Sequence, residues 1–168
     1  MTADQTNQIE RKRWNDPFWS EHWPKRERFT ESVTPLLMKA LALQPGESVL
    51  DVGCGGGPAT TAAAAMVGGA GKAVGADISA PLVELARKRT AASGAKNLSF
   101  QVKDVQQERV DGAPFNAAMS RDSNRSVIPE TAEWTTTGRS PSVIRWRSTP
   151  AILCQFDADD TLVPPNLS

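Results

Sequence analysis

The stretch Val49-Leu-Asp-Val-Gly-Cys-Gly-Gly-Gly57 decides the fold. Ser48–Val52 is a short β-branched run and reads as a buried strand. It runs straight into four glycines within Gly53–Gly57. Alanine-rich sequence, Ala59–Val67, then reads as a helix closed by Gly68, Gly69 and Gly71. Glycines between a strand and a helix let the backbone approach a ligand closely, and the helix N-terminus adds free amide donors. A tight turn alone would need fewer of them.

The same rhythm continues downstream. Lys72–Asp77 is a second short strand, and Ser79 caps a helix with Pro81 in its first turn. That helix carries Leu82, Val83, Leu85 and Ala86 on its apolar side and runs to about Ala92, closed by Gly94. Leu98–Val102 and Phe115–Met119 read as third and fourth strands. Strands alternating with helices predict a parallel α/β sheet.

Upstream, residues 1–47 form an N-terminal helical cap. Trp14, Phe18, Trp19 and Trp23 crowd its first half among charges, with His22, the lone histidine, between two of them. Phe29, Val33, Leu36, Leu37, Ala40 and Leu41 put an apolar stripe on a helix within Lys25–Leu43, stopped by Pro45-Gly46. Residues 48–120 are the α/β half-domain. Residues 121–168 break the pattern: five arginines, no lysine, one glycine and much Ser, Thr and Pro. Val143-Ile144 and Ala151–Cys154 are the apolar runs there. Such a composition predicts a poorly structured tail.

The chain's 168 residues suit one ordinary domain. Lys+Arg and Asp+Glu are 19 each, so there is no basic excess of the kind a general nucleic-acid binder carries. No apolar run approaches the ~20 residues that span a bilayer. No secretory leader is visible, and Cys54 and Cys154 make no disulfide framework, so a cytoplasmic setting is expected.

The ligand class turns on spacing. A dinucleotide fingerprint needs Gly-x-Gly-x-x-Gly, and its last place is Pro58 here. The glycines instead fall as Gly53-x-Gly55-x-Gly57, two residues after Asp51. This arrangement resembles the first motif of class I S-adenosylmethionine (SAM)-dependent methyltransferases. Gly75–Ser79 resembles the end of that family's second strand. Val102–Val105 resembles its third-strand acid, and Pro114–Ser120 its fourth strand. The resemblance covers roughly residues 35–120 and is nearest to small-molecule enzymes of the quinone-biosynthesis type.

The resemblance implies a Rossmann-like parallel sheet, SAM as cofactor and a small-molecule methyl acceptor. It implies that Asp51 lies near the cofactor's ammonium, and that Gly53, Cys54 and Gly55 lie against its methionine end. Asp77 would accept from the ribose hydroxyls, as an ionised carboxylate with two oxygens suits a diol. Ile78 would cover an adenine face, Asp104 would accept from the adenine amino group beside Val105, and Ser120 would close the site at the fourth strand. No catalytic residue and no metal ligand is assigned. Methyl transfer asks mainly for alignment and exclusion of water.

After Ser120 the family's remaining strands are not recognisable. A truncated or frameshifted member is therefore expected: the N-terminal half only, its fourth strand an open edge, with cofactor affinity but no turnover. Two other classes stay open. One is a non-catalytic SAM-binding or partner-binding module, to be separated by turnover assays. The other is a nicotinamide-dinucleotide oxidoreductase, to be separated by NADH binding.

Overall fold

A computed structural model describes residues 3–112, 114–121, 142–145, 152–156 and 162–163. The four expected strands form: β1 (Ser48–Val52), β2 (Lys72–Asp77), β3 (Leu98–Val102) and β4 (Ala117–Ser120). They pair in parallel in the order β3-β2-β1-β4. The register sets Asp51 beside Gly75 and Met119, and Asp77 beside Val102, so the C-terminal strand ends share one edge of the sheet.

Helices α4 (Pro58–Val67) and α5 (Ala80–Ala91) follow β1 and β2 as crossovers. Pro58 and Pro81 stand in their first turns, where a missing N–H costs nothing. The α4 alanines let the helix lie close to the strands. Ala59, Ala63, Ala64 and Val67 pack with Val49, Ala73, Ala117 and Met119 in the main core. A smaller cluster of Cys54, Val83, Ala86 and Phe100 joins the glycine loop to α5 and β3.

The N-terminal cap consists of α1 (Ala3–Trp14), α2 (Pro17–Thr30) and α3 (Val33–Leu41). The stripe expected as one helix over Lys25–Leu43 is thus divided at Glu31-Ser32. Pro35 explains the break: it has no N–H to offer Glu31, and its ring opposes a continuous helix there. Within the first turn of α3 it is tolerated. The third helix ends at Leu41, earlier than Pro45-Gly46, with Ala42 in the left-handed region at φ 43° and its N–H on the Met38 carbonyl. Leu37, Met38 and Leu41 are the cap's contribution to the main core.

Two further corrections concern β4. It begins at Ala117 rather than Phe115, because Asn116 is held outside the strand: its N–H donates to the Ser48 carbonyl and its side chain accepts from the Ser48 N–H. Nor is it an open edge. Strands β5 (Ser142–Arg145), β6 (Ile152–Phe156) and β7 (Leu162–Val163) extend the sheet antiparallel, as β4-β5-β6-β7. The apolar runs noted in the tail are β5 and β6. The rest of 122–168, on which the expectation of a poorly structured tail falls, lies outside the described residues.

Candidate cofactor site

Strand order reverses between β1 and β4, each neighbouring a strand reached by a crossover. In open parallel sheets such a reversal leaves a crevice beyond the C-terminal strand ends, where ligands bind. Every candidate residue lies at this edge. Asp51 is the next-to-last residue of β1, Gly53, Cys54 and Gly55 follow that strand, Asp77 ends β2 and Ile78 follows, Asp104 and Val105 follow β3, and Ser120 ends β4.

The loop's path explains its glycines. Gly53, Gly55 and Gly57 have φ of 72°, 52° and 84°, which side-chain-bearing residues rarely adopt. The Gly53 and Cys54 N–H groups both donate to the Ala76 carbonyl, fastening the loop to β2. Asp77 holds the other side: one carboxylate oxygen accepts from Gly55 N–H at 2.8 Å and the other from Ser79 N–H at 2.8 Å. Burial raises the Asp77 pKa, and those backbone bonds oppose the rise.

Asp51 is 1% exposed and accepts a 2.6 Å hydrogen bond from the Thr60 hydroxyl. Burial pushes its pKa up to about 7, against the pull of Thr60 and of the Arg121 charge. Asp104 is also buried. Both of its oxygens accept from the Asn7 amide, at 3.1 and 2.9 Å, and the Arg11 guanidinium lies 3.8 Å away. Ile78 and Val105 are half-buried. Ser120 is buried, its hydroxyl donating to the Val52 carbonyl at 2.8 Å.

Comparisons with known proteins bear on this geometry. Residues 43–135 match a family described as a methyltransferase domain. The chain belongs to that family. The match runs past Ser120, where the sequence expectation placed the end of the resemblance. Demethylmenaquinone methyltransferase of Symbiobacterium thermophilum is 47% identical over 55 residues, which are 33% of this chain and 22% of that protein. Aklanonic acid methyltransferase DauC of a Streptomyces species is 38% identical over 74 residues, 44% of this chain and 34% of that protein. In fold, a solved protein-L-isoaspartate O-methyltransferase aligns with a TM-score of 0.56 at 20% identity, over 75% of this chain and 44% of that one. The chain spans less than half the length of each. It is a class I methyltransferase domain, the kind whose cofactor is SAM.

Ahead of this methyltransferase domain, in the cap, the tryptophans form a cluster of their own. Trp14 lies 4.7 Å from Trp19 and 6.5 Å from Trp23 between ring centres, with Arg13 and Arg26 over the rings. The rings pack on one another and on the two guanidinium groups within the cap. His22 stacks on Phe18 at 4.1 Å, with Nδ1 2.8 Å from the Phe18 carbonyl. The Cys54 thiol is buried and its pKa raised well above the ordinary value by that burial, as a packing role requires. Among the described residues no helix is long and apolar enough to cross a membrane.

Sequence reasoning missed the residues that reach the site from elsewhere. Asn7 meets Asp104 across 97 positions, and Arg89 on α5 bonds both Glu27 on α2 and the Gly56 carbonyl. No local pattern marks such pairs. Thr60 was legible in principle, as a polar residue on the strand-facing side of an alanine helix.

Proposed function

We propose that this chain carries the cofactor-binding part of a SAM-dependent methyltransferase whose acceptor is a small molecule. The observation that carries the reading is the shared edge: glycine loop, Asp77 and Asp104 converge at one strand-order reversal. The donor set suits the cofactor. Gly55 presents bare backbone, against which the Trp23 indole packs. Each Asp77 oxygen accepts one backbone N–H and retains a lone pair for a ribose hydroxyl. Asp104 already accepts an NH2 group, the kind of donor adenine offers. Asp51 sits beneath the loop, where its charge would favour an ammonium. When bound, SAM supplies an electrophilic methyl group; the chain's residues orient it and exclude water.

A small acceptor is favoured by a cavity of about 390 Å³ among the described residues, lined by Pro24, Arg28, Glu31, Thr34, Pro58 and Arg121. That size is typical of small-molecule pockets. It opens between the cap and the start of α4, next to the end of β4. The chain's zero net charge gives no general attraction for nucleic acid.

Calorimetry with S-adenosylhomocysteine (SAH) and NADH tests the reading, together with ¹⁵N-glycine spectra. The expected result is SAH binding with shifts at Gly53, Gly55 and Gly57, and no NADH binding. Tighter NADH binding would overturn it in favour of an oxidoreductase.

A further inference from the structure

The first two helices lie across the site and take up its polar groups. Asn7 spends its amide on both oxygens of Asp104, and both residues are buried. Trp23, 5% exposed, packs against the loop: a Cβ at Gly55 would overlap its ring, and one at Gly56 would lie 2.7 Å from its Nε1. Trp14 offers its carbonyl to the Ser79 hydroxyl at 2.7 Å, and the Asn15 side chain accepts from Ala80 N–H at 3.0 Å. A clasp closes the arrangement, with Arg89 Nη1 at 2.7 and 2.8 Å from the two oxygens of Glu27.

We propose that the α1–α2 segment is an intramolecular occupant of the cofactor site, displaced when SAM binds. The inference rests on the site assignment above. Asn7 supplies to Asp104 the NH2 that adenine would supply, and Trp23 lays a ring on the backbone that the cofactor would cover. Cofactor and cap therefore compete for the same acceptors and the same face.

The attachment is of a kind that can be exchanged. Neither core cluster includes a residue of α1 or α2. Trp23 is the one buried hydrophobic side chain among residues 7–28 and 31–36. The other ties named here are hydrogen bonds and the partly exposed ion pairs of Arg11 with Asp104 and Glu108 and of Arg89 with Glu27, which water or a ligand can replace. Elements held this way open locally without global unfolding. The break at Glu31-Ser32 gives a hinge, beyond which α3 stays anchored in the core. A ligand that needs the open state binds with an affinity reduced by the open fraction.

Two measurements on the full chain test this. In hydrogen exchange, SAH should speed exchange across Ala3–Thr30 while protecting Gly53–Gly57. Slower or unchanged exchange in α1 and α2 would overturn the proposal and make the cap a lid closing over bound cofactor. In calorimetry, Asn7→Ala and Trp23→Ala should each bind SAH more tightly than the wild type, by roughly tenfold, the scale of one hydrogen bond to a charged group. Equal or weaker binding would overturn it. The exchange experiment needs no variant, so a misfolded mutant does not shield the idea. If SAH fails to shift the glycines of the loop, the site assignment falls and this inference with it. If the glycines shift but the cap stays protected, the cap inference alone fails.

Discussion

Asp51 is buried near the end of β1 with a carboxyl group whose neutral form is the better folded one. Its pKa is about 7 against an ordinary 3.8, mainly from burial. A raised folded-state value means that its stabilising contribution is complete below pH 3.8 and is lost as pH rises through about 7. Stability should fall by about 1.4 kcal/mol per pH unit across that window. Asp77 shifts in the same direction and adds to the slope. Urea unfolding from pH 4 to 7.5 should show the decline, and Asp51→Asn should flatten it, since an amide can still accept from Thr60 without a buried charge. A second residue-scale prediction concerns two glycines that sequence reading treats alike as ending α4. A Cβ at Gly71 would lie 2.5 Å from the Glu47 carbonyl and 2.6 Å from the Val67 Cβ, whereas at Gly69 nothing lies within 4 Å. Gly71→Ala should cost about 1–3 kcal/mol, as overpacking does. Gly69→Ala should stay within about 0.5 kcal/mol. Thermal melts of the two variants distinguish them, and equal melting temperatures would mean that the Gly71 contact relaxes freely. The roles of these glycines were not legible because their difference lies in what the fold brings near them.

At the scale of elements, Asn97 holds α4 to the start of β3. Its side-chain NH2 donates to the Ala64 and Gly68 carbonyls, both at 2.9 Å, as a second donor beside the backbone N–H that each already accepts at the end of the helix. Asn97→Ala should lower stability by about 1 kcal/mol through the loss of these two bonds, each carbonyl keeping a backbone donor, Gly68 N–H on Ala64 and Gly71 N–H on Gly68. Faster amide exchange confined to the last turn of α4 would trace the loss to this tie, and an unchanged melting curve would refute it. The parallel half was legible because its signals are local. Short runs between glycines and helices made β1, β2 and β3 with the expected bounds, and Ser79 caps α5 through the Leu82 N–H as its position indicated. The strand–glycine–helix junction likewise named the loop before any geometry was known. What escaped was set by distant partners. The cap's division follows from Pro35 acting on a stripe that looked continuous. The docking of Asn7 on Asp104 follows from the placement of α1 across the strand ends, which periodicity does not encode.

For the whole molecule, the question is what β5, β6 and β7 contribute. All four residues of β4 are buried, and its two neighbours differ in kind. On one side β1 pairs with it in parallel from Val49↔Ala117 to Asp51↔Met119. On the other, β5 pairs antiparallel over four positions, from Ala117↔Arg145 to Ser120↔Ser142. Parallel strands are ordinarily interior strands, because their crossovers cover both faces. Removing residues 122–168 would turn β4 into an edge and expose a row of backbone donors and acceptors next to an apolar strand. Each ladder bond is worth about 1 kcal/mol net, so a few kcal/mol would go from a total of about 5–15. The shortened chain should therefore unfold at lower urea than the full chain and associate as concentration rises, through the freed β4 edge. Chemical denaturation and sedimentation of the two forms measure both effects. Equal stability and a concentration-independent mass would mean that β4 needs no partner beyond β1, and that the methyltransferase half is held together by its two clusters and the cap. A destabilised, associating chain would make the antiparallel ribbon a working part of the sheet, despite a composition that gave little sign of one.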